Sequence, residues 1–305
     1  MKNNYTSVNE KKLPMLQRAV SGKGPAVGRG RFEGWYYKQR ADDYMIAFIP
    51  GKADSGAFIQ VIDSYGARSF DMPDFYAHGD TVRTGNCIFS PRGLKVEIPG
   101  IRGVLKYSGI TPLKYDIMGP FSVLPMQCSH GIVSMYHKAN GQLEVDGALR
   151  SFKNATGYIE KDRGRSFPRS YLWIQCNSFS VTEAVAQTST QAFMLSIAHI
   201  PFLGAAFTGC ICVLIYGGKE YRFATYLGVR ITSDKDRIIL TQGKMRLEIV
   251  CYPLCDGKEL YAPQKGLMSE SIRESCDAYL KLTLTESGKE SAELESRYAT
   301  YEKRQ

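Results

Sequence analysis

The chain has 305 residues, of which 44% are hydrophobic and 23% are charged. These values are near the averages of soluble globular proteins, so they exclude disorder as the main state. The length predicts two domains or one large all-β domain, and it provides a sufficient core without disulfides or structural metals.

Much of the net charge of +9 lies in an N-terminal arm, which we assign to residues 1–30. Residues 1–31 contain seven Lys or Arg residues and a single acid, Glu10. Such a segment is a solvated tail, or it contacts an anionic membrane surface or nucleic acid. Nucleic acid is not expected, because basic and aromatic residues do not alternate along the chain. The arm has no long apolar run, so we expect no signal peptide or anchor, and a cytoplasmic protein, either free or peripheral at a membrane.

Most of the remaining chain consists of short apolar or alternating segments between turn residues, which predicts about a dozen β-strands. The clearest are Tyr44–Ile49, Ala57–Ile62, Leu94–Ile98, Ile132–His137, Leu143–Ala148, Cys210–Tyr216, Tyr221–Ile231, Met245–Cys251 and Tyr279–Leu284. Asn140 and Gly141 are a strong signal for a two-residue hairpin turn. The helix candidates are Thr182–Thr190, Met268–Cys276 and the tail after Ser287.

The segment Ala192–Tyr216 is long and apolar enough to suggest a membrane span. Pro201, Gly204 and Gly209 interrupt it, and Ile, Val, Phe and Cys dominate its second part. Two buried strands joined by a turn at Pro201–Gly204 account for this pattern better than a membrane helix does.

Closely spaced strands with few helices are typical of β-barrels and β-sandwiches. Gly, Pro and charged residues cluster at Gly164–Ser170, near the middle of the chain. We therefore predict an all-β protein of two packed antiparallel halves, residues 31–165 and 166–305, with few short helices.

Three aromatic residues, Trp35, Tyr36 and Tyr37, open the first half, and Glu33 precedes them. In an extended strand Trp35 and Tyr37 face one side and Tyr36 faces the other. The segment is either a strand packed on a core or one wall of an aromatic ligand cavity.

A charged segment near the midpoint contains Glu160 and Asp162, which face one side of an extended strand, while Lys161 and Arg163 face the other. Two carboxyls on one side repel each other. In a desolvated site one of them stays protonated near neutrality and can act as a general acid. The alternative is a solvated hairpin loop.

The next segment places Tyr171, Trp173, Gln175 and Asn177 on one face of a strand. Amides beside large aromatic rings are common in ligand sites, although they also form satisfied pairs within sheets.

Metal ligation is not expected from the sequence. His130 and His137 lie seven residues apart, which puts them on opposite faces of a regular strand unless Gly131 forms a bulge. Most of the eight cysteines lie in apolar runs, where cysteine behaves as a small hydrophobic residue.

These segments together resemble the tocopherol cyclase family. The resemblance is carried by Phe32–Tyr36, Glu160–Gly164, Phe167–Arg169 and Trp173–Phe179, and less specifically by Ala262–Pro263, Gly266–Leu267 and Arg273–Cys276. One departure is Arg163, where the family usually has Trp. The resemblance implies a lipocalin-like β architecture in two parts, related to the carotenoid hydratase and hydroxyneurosporene synthase folds. It also implies closure of a prenylated hydroquinol to a chromanol.

Such a ring closure protonates a trisubstituted double bond, shields the tertiary cation from water, and lets the phenol oxygen attack. It requires neither a redox cofactor nor a metal, so we expect none. The resemblance favours Glu160 as the general acid, because the family also accepts Asn at the position of Asp162. Asp162 would then raise the pKa of the acid or accept the phenol proton.

The resemblance also implies a hydrophobic ligand, an isoprenoid or prenylquinol. Trp35, Tyr36 and Trp173 would line the prenyl pocket, and Gln175 and Asn177 would hold the quinol oxygens. Glu33 is a further candidate for substrate binding. Two alternatives remain: a lipid carrier with the same cavity and no acid, and a hydratase in which water captures the cation.

Overall fold

The computed structural model describes residues 30–42, 44–180, 190–202 and 204–304. Over these residues the protein is all-β and lipocalin-like, with 21 strands and two short 3-10 helices. The basic arm up to residue 29 lies outside the described residues. Residues 182–189 of the predicted helix Thr182–Thr190 also lie outside them. The strands form two large antiparallel sheets, each curled into a half-barrel.

The first sheet has 11 strands in the spatial order β4-β3-β2-β1-β11-β10-β9-β8-β7-β6-β5. Its strands are β1 (Phe32–Ala41), β2 (Tyr44–Ala53), β3 (Gly56–Asp63), β4 (Ala67–Met72), β5 (Tyr76–His78), β6 (Thr81–Thr84), β7 (Cys87–Ser90), β8 (Gly93–Ile98), β9 (Ile101–Ser108), β10 (Cys128–Val145) and β11 (Ala148–Gly164). A 3-10 helix at Gly119–Val123 lies in the long connection between β9 and β10.

The second sheet has 10 strands, nine of them in the order β15-β14-β13-β12-β21-β20-β18-β17-β16, with β19 paired to β20. Its strands are β12 (Tyr171–Cys176), β13 (Ala192–Phe202), β14 (Ala205–Tyr216), β15 (Lys219–Ala224), β16 (Arg230–Asp234), β17 (Arg237–Gln242), β18 (Met245–Pro253), β19 (Lys258–Gln264), β20 (Leu267–Glu286) and β21 (Lys289–Arg304). The second 3-10 helix is Thr225–Leu227. The sheets divide between Gly164 and Tyr171, inside the segment predicted as a boundary; that the halves are separate domains stays a prediction.

Two of the helix predictions were wrong. Met268–Cys276 lies in β20, and the tail after Ser287 forms β21. In β21, Ala292, Leu294 and Ser296 are buried at a spacing of two, which is the period of a strand. Cross-strand pairing along β20 outweighs the weak helical preference of the Ala, Glu and Leu residues.

The predicted hairpin turn at Asn140 and Gly141 was also wrong. Strand β10 runs through both residues, and the chain reverses at Asp146 and Gly147, which both have positive φ. Gly141 serves close packing instead, because a Cβ there would lie 2.2 Å from the carbonyl oxygen of Val104.

The apolar segment Ala192–Tyr216 forms the antiparallel strands β13 and β14, as predicted. Among the described residues, no helix is both long and apolar enough to cross a bilayer. All eight cysteines are unpaired.

Each half has its own apolar core, and a third cluster joins the two halves. Tyr36, Met45 and Tyr158 contribute to this third cluster from the first sheet. Trp173 and Met194 contribute from the second. The joint between the sheets is therefore packed, and the candidate site lies within it.

Candidate active site

A cavity of about 180 Å³ lies between the sheets and is lined by residues from both. Its wall is mainly apolar, with Ile49, Phe121, Met126, Ile200 and Leu260 among the lining side chains. An engineered apolar cavity of about 150 Å³ binds benzene, so this cavity can hold a ring-sized part of a ligand. Four carboxyl side chains and an imidazole interrupt the apolar wall: Glu160, Asp162, Glu274, Glu302 and His130.

Strand β11 places Glu160 and Asp162 on the cavity side, as strand alternation predicts. Lys161 faces away and forms an ion pair with Asp80 at 2.7 Å. Glu160 is buried, and its Oε2 accepts a hydrogen bond of 2.6 Å from the hydroxyl of Tyr158, which shares its face of β11.

Strand β10 adds His130, which lies opposite Asp162 in the register between β10 and β11. His130 Nδ1 is 2.8 Å from Asp162 Oδ1, and His130 Nε2 is 3.5 Å from Glu160 Oε2. The imidazole thus connects the two carboxyls, and the Asp162 contact fixes which nitrogen faces Glu160.

Burial raises the pKa of the Glu160 carboxyl above its ordinary value, although the charge of His130 acts against this shift. Burial disfavours the charged form of His130, but the carboxylates of Asp162 and Glu160 outweigh it and raise the pKa of the imidazole to about 9. The cluster therefore retains protons at neutral pH, as a proton donor requires.

The second sheet presents another pair of carboxyls to the same cavity. Glu274 on β20 accepts a hydrogen bond of 2.5 Å from the hydroxyl of Tyr36, and Glu302 on β21 accepts one from the hydroxyl of Tyr171. Burial raises the pKa of Glu274 to about 7 and that of Glu302 to about 8.

Three aromatic rings pack together near these carboxyls. The ring centroids of Tyr36 and Trp173 are 5.7 Å apart, and those of Tyr158 and Trp173 are 6.4 Å apart. Tyr36 and Trp173 both line the cavity. The cavity thus combines acidic groups with aromatic faces that attract positive charge.

The other residues predicted to bind substrate lie elsewhere or contribute less. Trp35 reaches the cavity wall, but its ring packs against Phe75 in the first core. Gln175 accepts a hydrogen bond from Lys38, and Asn177 donates one of 2.8 Å to the carbonyl of Gly157.

The cavity lining does not include Gln175, Asn177 or Glu33. Glu33 lies opposite Arg163 in the register between β1 and β11. The structure therefore does not bring these three side chains to the site.

Among the residues that the structure describes, His130, Glu160 and Asp162 could also hold a metal ion, since their donor atoms all lie within 4.8 Å of one another. The sequence did not predict this arrangement, because the spacing of the histidines relates His130 only to His137. The two strands that place His130 beside Asp162 are joined by the turn at Asp146, which was not predicted.

Sequence reasoning also missed Glu274 and Glu302. Glu274 lies in a segment that carried the weaker family resemblance, which was a usable signal. Glu302 lies in the tail that was predicted to be helical. In a strand, Glu302 shares a face with Thr300, and both side chains are buried. A strand prediction for this tail would therefore have placed Glu302 inside the fold.

A family model described as tocopherol cyclase-like matches residues 101–302, more than half of the chain. The chain belongs to the tocopherol cyclase-like family. A protein from Oryza sativa subsp. japonica named probable tocopherol cyclase, chloroplastic, is 29% identical over 129 residues, which are 42% of this chain and 27% of that protein. Tocopherol cyclase, chloroplastic, from Zea mays is 49% identical over 41 residues, 13% of this chain and 9% of that protein. The matches thus span about a quarter or less of these relatives' lengths.

Two solved structures share the fold of this member of the tocopherol cyclase-like family. CghA with Sch210972 superposes with a TM-score of 0.59 at 12% identity, over 90% of this chain and 88% of that chain. Kievitone hydratase from Nectria haematococca superposes with a TM-score of 0.52 at 10% identity, over 99% and 96% of the two chains. At these identities the likeness concerns the fold.

Proposed function

We propose that this protein is a cofactor-independent cyclase that closes a prenylated hydroquinol to a chromanol, with Glu160 as the general acid. The observation that carries the proposal is the buried Glu160 carboxyl in an apolar cavity, with its pKa raised and His130 at 3.5 Å. Membership of the tocopherol cyclase-like family supports the reaction class. The substrate is a hydrophobic small molecule, which suits the largely apolar wall.

The first step transfers a proton from Glu160 to the double bond of the prenyl chain. The O–H bond of the carboxyl breaks, a C–H bond forms, and a tertiary carbocation remains beside the Glu160 carboxylate. An alkene is a very weak base, so the donor must act in a site without competing water. His130, held by Asp162, then returns a proton to Glu160 across the 3.5 Å separation.

The aromatic rings of Tyr36 and Trp173 face the same cavity and stabilise the cation. A ring face contributes about 0.5–2 kcal/mol to the binding of a positive charge, with the higher values in desolvated sites. A phenol oxygen of the substrate then attacks the cation, a C–O bond forms, and the phenol O–H bond breaks as its proton passes to a carboxylate of the cavity.

The variant Glu160→Gln tests the acid. Gln keeps the size and polarity of Glu but donates no comparably acidic proton, so turnover of the prenylated quinol should fall at least about 100-fold. Ligand binding, followed by quenching of tryptophan fluorescence, should change little. Glu97→Gln, at an exposed position of β8, is the matched control.

Mass spectrometry of the product separates the reaction classes. A chromanol has the same mass as the quinol and an altered ultraviolet spectrum, whereas hydration adds one water. Full turnover by Glu160→Gln would show that another group is the acid. Binding without conversion of any prenylated substrate would favour a lipid carrier.

We also propose peripheral membrane contact through the basic arm, because the substrate is soluble in lipid and residues 1–31 are strongly basic. Removal of these residues should weaken binding to anionic vesicles, measured by co-sedimentation. Unchanged vesicle binding would contradict this part of the proposal.

A further inference from the structure

The carboxyls of Glu274 and Glu302 lie opposite each other on neighbouring strands. The register between β20 and β21 pairs these two residues directly, and both side chains line the cavity that Glu160 lines. Cβ atoms of directly opposed residues are about 4.5–5.5 Å apart, so the two carboxyls are close neighbours. Glu274 is 2% exposed and Glu302 is 7% exposed.

Each carboxyl has a tyrosine as its hydrogen-bond donor. Tyr36 donates to Oε1 of Glu274, and Tyr171 donates to Oε1 of Glu302. Within the described residues, Oε2 of each carboxyl has no hydrogen-bond partner, and neither carboxyl forms an ion pair with Lys or Arg. The nearby Lys38 donates instead to Gln175 and Thr300.

Two buried carboxyls without a paired cation cannot both ionise, because burial and mutual repulsion each disfavour the second charge. Burial and the Glu274 charge raise the pKa of Glu302 to about 8, above the value of about 7 for Glu274. At neutral pH the pair therefore keeps at least one proton, and in the form with one ionised member it can accept another. The proton transfer from Glu160 to the alkene does not use this pair.

We propose that Glu274 and Glu302 together form a second acid–base centre that accepts the proton of the attacking oxygen. This inference rests on the proposed function and extends it to the opposite wall of the cavity. As the C–O bond forms, the O–H bond of the phenol breaks, and its proton moves to the ionised carboxyl of the pair. Glu160 has lost one proton and the pair has gained one, so the charge within the cavity is conserved.

The cycle closes when His130 reprotonates Glu160 and takes up a proton from solvent, and the pair releases its proton to solvent as the product leaves. The aromatic rings of Tyr36 and Trp173 lie in the same cavity as both centres. The cation therefore forms next to the Glu160 carboxylate. The oxygen that attacks it contacts the pair of Glu274 and Glu302.

The decisive variant is Glu274→Gln with Glu302→Gln, because either carboxyl alone can still accept a proton. Removal of one carboxyl from a repelling pair should not lower stability, and each Gln oxygen still accepts the tyrosine hydrogen bond. Glu290→Gln, at an exposed position of β21, is the control. Thermal unfolding of all variants verifies the fold. If the double variant is unstable, Glu274→Gln serves through its pH profile, because loss of the Glu274 charge lowers the pKa of Glu302 and should move ring closure, but not deuterium incorporation, to lower pH.

Two assays separate the two centres. Ring closure is measured with the free prenylated quinol. Alkene protonation is measured with the quinol methylated on both oxygens, which cannot close. In D₂O, Glu160 adds a deuteron to the alkene, and the cation then returns a proton to Glu160. Deuterium therefore accumulates in the prenyl chain. The double variant should lose ring closure at least about 100-fold and keep deuterium incorporation within about twofold, whereas Glu160→Gln should lose both.

Ring closure at the wild-type rate by the folded double variant would overturn this inference and leave the proposed function intact. Loss of deuterium incorporation in that variant would also overturn it, since the pair would then act in alkene protonation. If the wild-type protein neither exchanges nor closes, the proposed function fails and the inference fails with it.

Discussion

Two histidines of one strand show how the surroundings of a residue decide its protonation. His130 faces two carboxylates, and its pKa is raised to about 9. His137 lies in the first half, with its ring 4.2 Å from that of Tyr107, and burial lowers its pKa to about 3. Neither ring nitrogen of His137 has a hydrogen-bond partner within the described residues. At neutral pH the imidazole of His130 is therefore charged and can donate a proton, whereas the imidazole of His137 is neutral in the apolar core.

His137 should make the protein sensitive to acid. In the unfolded chain its pKa is the ordinary 6.5, so the unfolded state takes up a proton below that pH while the native state does not. Its contribution to stability is present above pH 6.5 and is lost as pH falls toward about 3. In His137→Leu the difference in unfolding free energy between about pH 7.5 and about pH 5 should shrink by about 2 kcal/mol.

Urea unfolding at the two pH values measures this difference. His78→Asn, at an exposed position of β5, is the matched control and should leave the difference unchanged. An unchanged difference in His137→Leu would show that His137 is protonated in the native state or that its site is hydrated.

At the scale of elements, strand alternation was the part of the structure that the sequence made predictable. It placed Glu160 and Asp162 on one face, and Trp35 and Tyr36 on opposite faces, because side chains alternate at every residue of a strand. Strand ends were harder to predict. Gly141 looks like a turn residue, but the approach of a neighbouring strand requires it, and that approach is a tertiary fact.

The connection between β9 and β10 is tied to the second sheet through Arg222, in addition to the packing of Ile117 and Met118 in the third apolar cluster. Arg222 on β15 donates hydrogen bonds to the carbonyls of Tyr115 and Asp116, at 2.5 and 3.1 Å, and pairs with Glu220 at 2.6 Å. The same connection supplies Phe121 and Met126 to the cavity wall. Arg222 therefore ties part of the cavity to the second sheet.

The variant Arg222→Met should loosen this connection. Amides at residues 114–118 should exchange with solvent faster, and ligand binding should weaken, because Phe121 loses its fixed position. The unfolding free energy should fall by about 1–3 kcal/mol, since the partly buried Glu220 loses its charged partner. Hydrogen exchange with mass spectrometry and urea unfolding measure the two effects.

The double variant Glu220→Gln with Arg222→Met is the control. It removes the unpaired charge, so global stability should recover, while the fast exchange at residues 114–118 should remain. Wild-type exchange in Arg222→Met would show that other contacts hold the connection.

At the scale of the whole molecule, the site exists only because two halves meet. Local pattern identified the acid on β11, but no local pattern brings Glu302 to the same cavity, since 142 positions separate it from Glu160. Hydrogen bonds between buried side chains and backbone groups also connect the two halves. Lys38 donates to Gln175 across the halves at 2.7 Å, and Gln60 exchanges two hydrogen bonds with the backbone of Tyr261.

This joint predicts that the halves unfold together. The unfolding of one half alone would expose the shared apolar cluster and remove the hydrogen-bond partners of the buried Lys38.

The two tryptophans give a direct test, because Trp35 lies in the first sheet and Trp173 in the second. In Trp173→Phe the fluorescence reports the first half, and in Trp35→Phe it reports the second. In urea, each fluorescence midpoint should coincide with the far-ultraviolet circular dichroism midpoint of the same variant, as a two-state transition requires. Fluorescence and circular dichroism midpoints that differ within one variant would mean that the halves are independent units, and the cavity would then be lost when one sheet unfolds while the other stays folded.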